Sequence, residues 1–144
     1  VISKINAVGV WFYSITTKKY LFLMRNDEKY FGHWALPGGK IEDGEALVET
    51  IIRECTEELG TMPKYNKLIP IEKFTTPNNY FCYHTFFCVL ENEFIPILNH
   101  EHIGYAWINE DTFPSPLHPG LLSTIKSTDI YNKIKQVSDL YISQ

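Results

Sequence analysis

The sequence predicts an α/β sandwich built on a mixed β-sheet, and three observations predict it. β-type segments stand on both sides of the one strongly patterned helix, a second helical stretch closes the chain, and no repeat, low-complexity tract or linker divides it. With 144 residues, 44% of them hydrophobic, residues 1–144 can bury one core and read as a single domain.

Residues 5–13 are apolar, β-branched or aromatic, residues 14–19 are polar, and residues 20–24 are apolar again, which predicts two strands around a turn. Residues 26–33 form a loop. Leu36-Pro37-Gly38-Gly39 punctuates the chain, since proline fixes one dihedral and glycine permits conformations that other residues avoid. A helix follows over residues 43–59, with Asp43 or Gly44 to cap it, Gly60 to stop it, and Val48, Ile52, Cys55 and Leu59 as its buried stripe. Residues 68–76 and 80–90 read as strands around a Pro77-Asn78-Asn79 turn, and residues 103–108 as another. Residues 117–142 read as two helices broken near Thr128 and Asp129.

Composition excludes several functions. A formal net charge of −4 argues against wrapping long nucleic acid, which needs an excess of Lys and Arg on one face. A small phosphorylated ligand fits if metal cations supply the missing positive charge. Cys55, Cys82 and Cys88 show neither zinc-ligand nor disulfide spacing and suit a cytoplasmic location. No apolar run is long enough to span a membrane, so no membrane partner is expected, and a homodimer is compatible with the composition.

Glu54, Glu57 and Glu58 stand at i, i+3 and i+4 and therefore share one helix face, expected to lie opposite the apolar stripe. Like charges at this spacing destabilise a helix by roughly 0.2–0.5 kcal/mol per pair. Such a face is either an ordinary solvated surface or a cation site. Mg2+ or Mn2+ would suit it, since hard ions take carboxylate oxygens and bridge them to substrate phosphates.

The larger pattern decides between these. From Gly39 the chain fits G-x5-E-x7-R-E-x-x-E-E-x-G through Gly39, Glu45, Arg53, Glu54, Glu57, Glu58 and Gly60. Residues 39–61 thereby resemble the Nudix box, the signature of the Nudix (MutT-like) hydrolases. Ala7-Val8-Gly9-Val10, Arg25 and the Trp34 to Gly39 approach are also similar to family members. Cys55 and Thr61 depart from the pattern, which prefers aliphatic residues there, and Cys55 reads as a core substitution rather than a reactive thiol.

The resemblance implies a loop-helix-loop that binds divalent metal through Glu54, Glu57, Glu58 and the Gly38 carbonyl, with Arg53 orienting carboxylates and Glu45 bracing the loop. It implies a further acid from outside the box as ligand or general base, for which Glu101 is the candidate and Glu91, Glu93 and Glu110 are the competitors. His100 and His102 are loop residues first, because imidazole prefers softer ions than magnesium. Arg25 and Lys40 are candidate phosphate contacts, and Trp34, Tyr80 or Tyr83 would stack on a base or sugar, although most of the nine tyrosines and nine phenylalanines must serve the core.

The activity implied is metal-assisted hydrolysis of a phosphoanhydride bond, by in-line attack of water, in a nucleoside diphosphate linked to another group. Nucleoside triphosphates, nucleotide sugars and dinucleoside polyphosphates all qualify. Pro77 gives slender support to ADP-ribose and has a sufficient explanation as a turn residue. The alternative is a nucleotide-sensing or interaction module that has lost hydrolysis, against which the intact set of acids weighs.

Overall fold

Alternation along the first strand sets up two cores. Val8, Val10 and Phe12 enter one and Trp11 and Tyr13 the other, each fully or almost fully buried. This double burial explains why the segment reads as a continuous apolar run. The computed structural model describes residues 5–141. Its elements are β1 (Ile5–Ser14), β2 (Lys19–Arg25), β3 (Trp34–Ala35), β4 (Gly38–Lys40), α1 (Leu47–Leu59), β5 (Lys67–Thr75), β6 (Phe81–Leu90), β7 (His102–Asn109), α2 (Pro119–Lys126) and α3 (Thr128–Asp139).

The mixed sheet runs β3-β2-β1-β6-β5, with β4 on β1 and β7 on β2. β1 and β6 are parallel over ten residue pairs, and the other pairings are antiparallel. One core lies under α1, and the other includes Leu121 of α2 and Ile134 of α3. The α/β/α sandwich is therefore present as expected. No helix of the described residues is long and apolar enough to cross a membrane.

One departure from a regular sheet positions the site. β1 pairs with β2 only beside their turn, at Tyr13 with Tyr20 and Ser14 with Lys19. Beyond it the strands part. β1 takes β4 as its neighbour, at Val8 with Gly39 and Gly9 with Gly38, while β2 takes β3 and β7. β3 and β4 occupy a stretch for which the sequence predicts punctuation at Leu36-Pro37-Gly38-Gly39 and no strand. Two or three residues interrupted by Pro37 carry no periodic signal, and they become strand because partners with free backbone groups flank them.

The helix also departs from expectation at its start and in its orientation. It begins at Leu47 rather than near residue 43, because the Glu49 carboxylate accepts the Ala46 N–H at 2.8 Å and caps the first turn. Gly60, at φ 85°, ends it as expected, its N–H donating to the Thr56 carbonyl at 3.1 Å. Cys55 and Leu59 are buried, but Val48 and Ile52 are 43% and 45% exposed, and Ile51 takes their place. The buried face is thus turned by about one residue, roughly 100°, from the expected stripe. That rotation carries Glu54 and Glu58 inward instead of leaving them opposite the core. Accordingly, Ile51→Ala should destabilise the fold by about 2–5 kcal/mol, whereas Ile52→Ala should change it by about 0.5 kcal/mol or less. Urea unfolding of both variants checks the assignment, and equal losses would contradict it.

Candidate active site

The loop between β4 and α1 is held by one arginine. Arg53 donates through Nε to Glu45 Oε2 at 2.8 Å, through Nη2 to Glu45 Oε1 at 3.0 Å and to the Lys40 carbonyl at 2.9 Å, and through Nη1 to Glu54 Oε1 at 2.8 Å. A planar guanidinium can serve all these acceptors because its five N–H groups diverge in a fixed fork. Glu45 also accepts the Glu42 N–H and the Thr50 hydroxyl, each at 2.9 Å. The Arg53 hydrogen bonds, followed by the Glu42 N–H, hold the Glu45 carboxyl down to about 2. Arg53 and Glu45 therefore lock the loop to the helix and fix where Glu54 points.

Glu54 and Glu58 lie one turn apart on the inward face and are buried. Glu58 Oε1 accepts the Gly38 N–H at 3.2 Å, tying the helix to β4. Gly38 has φ 151°, and a side chain there would meet the Val8 carbonyl. At Gly39 a side chain would meet the Glu54 carboxylate. These paired glycines thus allow backbone and carboxylates to approach closely. Burial, opposed by the Gly38 N–H and reinforced by the Glu54 charge, pushes the Glu58 carboxyl up to about 9. Glu54 is also raised, by burial first, with Arg53 pulling the other way.

Glu101 precedes β7. Its N–H donates to Asn99 Oδ1 at 3.0 Å and its carbonyl accepts the Asn26 N–H at 2.9 Å, so its backbone is fixed although the residue is exposed. Potential ligand atoms of Glu58, Glu101 and His102 lie within 4.8 Å of one another. Of the competing acids, Glu110 pairs with Lys135 at 3.4 Å and Glu91 accepts from Asn66 at 3.4 Å. His102 is the residue that the sequence reading placed wrongly. It is not in a loop but in β7 opposite Arg25, it is 7% exposed, and its Nδ1 has no hydrogen-bond partner among the described residues. Burial, then the Arg25 charge, lowers the imidazole to about 4, so it is neutral and able to act as a ligand at ordinary pH. His100 is an exposed residue whose carbonyl accepts from Asn26. Glu57 projects to solvent with its side chain 49% exposed, 3.7 Å from Arg53, and stands outside the close group.

Beside these acids opens a cavity of about 270 Å³ whose wall includes Gly38, Gly39 and Arg25. Its wall also joins β5 and β6, through Glu72, Phe74, Phe81 and Tyr83, to α2. Arg25 is oriented by Asp27, 2.7 Å from its Nε. Of the proposed stacking residues only Tyr83 lines the cavity. Trp34 instead packs into the core beneath the C-terminal helices, Lys40 is an exposed residue whose carbonyl serves Arg53, and Tyr80 is exposed where the turn enters β6. At Gly38 it is the backbone N–H that Glu58 engages. Glu72 and the α2 residues escaped the sequence reading. Their one available signal was an acid beside the buried Ile71, in a bulged segment where side-chain alternation fails.

Comparison with known proteins bears on the family and the fold. The family model described as the NUDIX domain matches residues 4–127. A dihydroneopterin triphosphate diphosphatase of Haemophilus influenzae is 33% identical over 118 residues, covering 72% of this chain and 73% of its own. A nucleoside triphosphatase, NudI, of Escherichia coli is 35% identical over 100 residues, covering 61% and 70%. Among solved structures, the Nudix hydrolase RenU of M. smegmatis superimposes with a TM-score of 0.72 at 19% identity, over 97% of this chain and 89% of its own.

Proposed function

The chain belongs to the NUDIX family and is a pyrophosphohydrolase of nucleotide-linked substrates, and on that premise we propose that Glu54, Glu57, Glu58 and Glu101 hold Mg2+ or Mn2+ against the pyrophosphate. The observation that carries this reading is the meeting of Glu58, Glu101 and His102 within 4.8 Å, the imidazole being buried with its Nδ1 unpartnered among the described residues. The donors fit a divalent cation: carboxylate oxygens suit magnesium, and one imidazole suits manganese equally well. When bound, such a cation would neutralise charge on pyrophosphate oxygens and acidify water.

The protein's own groups have separable roles. Glu54 and Glu58 are positioned by Arg53 and Gly38, so their carboxyl groups are in place before substrate arrives. Glu101, exposed and close to Glu58 and His102, accepts the proton of the attacking water on its carboxylate. Arg25, at the cavity wall and already aligned by Asp27, holds a phosphate oxygen. The cavity receives the nucleoside or its analogue. Nucleoside triphosphates are the leading substrates, with nucleotide sugars and dinucleoside polyphosphates as the other arms of the assay.

The test offers purified protein each of these classes with Mg2+ or Mn2+ and separates the products chromatographically. Absence of turnover across the panel would remove the proposal. Glu101→Gln should lower kcat roughly 100-fold or more with little change in thermal stability. A wild-type rate in that variant would assign proton acceptance to another acid.

A further inference from the structure

Resting on the reading of the cavity as the nucleoside site, we propose that Glu72 selects a ring bearing a 2-amino-4-oxopyrimidine edge, the edge shared by guanine and pterin. Glu72 and Arg25 are the two Asp, Glu, Lys or Arg residues on the cavity wall. Arg25 belongs to β2 and is paired with His102 beside the acids, whereas Glu72 belongs to β5, at the far end of the sheet order. One end of the cavity is thus suited to phosphate and the other presents a carboxylate. Phe74, Phe81 and Tyr83 line the same wall, the last two with rings stacked at 22° and 6.2 Å between centroids. Aromatic walls of this kind accept a flat heterocycle.

Glu72 has more accepting capacity than its surroundings fill. Its Oε1 accepts the Thr124 hydroxyl of α2 at 3.0 Å, and no salt bridge involves it among the described residues. A carboxylate offers about four lone-pair sites. Thr124 holds the group from the helix side without neutralising it, leaving both oxygens able to receive a ligand. The wall around it is largely apolar, which raises the cost of leaving a charge without donors.

Two oxygens side by side match two adjacent N–H donors. Guanine supplies them through its ring N–H and 2-amino group, and a pterin does the same. Adenine and cytosine set a ring acceptor beside the amino group, which would face the carboxylate with like polarity. Uracil and thymine place their single N–H between two carbonyls. Hypoxanthine keeps the ring N–H and lacks the 2-amino donor, so it isolates half of the interaction.

The decisive measurement is kcat/KM for GTP, ITP, ATP, UTP and a pterin triphosphate with wild-type protein and with Glu72→Gln. GTP, the pterin or both should exceed ITP and ATP by roughly 10- to 100-fold, and the GTP-to-pterin ratio identifies the source of the ring. Glutamine can accept from the adenine amino group while donating to the adjacent ring nitrogen, so Glu72→Gln should lose that preference and turn towards ATP. Comparable wild-type rates on GTP, ITP, ATP and UTP without a faster pterin, or unchanged selectivity in Glu72→Gln, would overturn the inference and leave the hydrolase reading standing. No turnover of any nucleotide or pterin would overturn both. If the variant fails to fold, the wild-type comparison of GTP and pterin against ITP decides alone.

Discussion

Glu58→Gln should lower turnover roughly a thousandfold and, in metal-free protein, make the fold more stable above about pH 5. Both effects come from one buried group. The Glu58 carboxyl, with an ordinary value of 4.5, is pushed up to about 9 chiefly by burial. Between those values the folded chain keeps a proton that the unfolded chain has released. Metal-free stability must therefore fall as pH rises through that interval, by at most about 1.4 kcal/mol per pH unit. Glutamine does not titrate, so the variant should lose this slope. Urea unfolding in the presence of a chelator at pH 5, 7 and 8.5 measures it, and parallel curves for the two proteins would refute the assignment. Metal binding by the wild type should release protons at neutral pH, observable by calorimetry in buffers of different ionisation enthalpy.

Arg53→Ala should cost about 2–3 kcal/mol of stability and lower turnover roughly 10- to 100-fold, although Arg53 lies outside the group of close potential ligand atoms. Its removal takes from Glu45 the largest of the influences that hold its carboxyl near 2, leaving the Glu42 N–H and the Thr50 hydroxyl, and releases Glu54 from a 2.8 Å hydrogen bond. The sign of the pH effect is opposite to that of Glu58. Glu45 stabilises the wild type above its ordinary value of 4.5, and this contribution disappears as pH falls towards about 2. Arg53→Ala should therefore lose most stability at neutral pH and approach the wild type in acid. Arg53→Lys restores one positive charge but cannot reach Glu45, Glu54 and the Lys40 carbonyl together, so it should recover only part of the loss. Full recovery by lysine would show that charge, rather than fixed geometry, is what the site requires.

The box acids and the bracing pair were legible because their relations are local. Helical periodicity relates Glu54 to Glu58, and Gly60 must stop the helix because it supplies a left-handed residue. The rotation of α1 was not legible, since Val48, Ile51 and Ile52 are equally apolar and only packing chooses which face the sheet. His102 was hidden for a related reason. A histidine flanked by loop-like residues gains its burial and its orphaned Nδ1 only when β7 docks along β2.

By itself the sequence pointed to the reaction class, through a seven-position pattern that resembles the family's box, and to the mixed α/β architecture, through runs of apolar residues with distinct periods. Tertiary structure alone decided which acids turn inward, where β3 and β4 form, and which residues enclose the cavity. Arg25, Glu72, Tyr83 and Thr124 are remote in the chain and meet only because β2 parts from β1, β5 and β6 complete the sheet, and α2 packs across them. A helix face is set by neighbours a few residues away, whereas a cavity wall depends on sheet order and long-range packing, which no local pattern encodes.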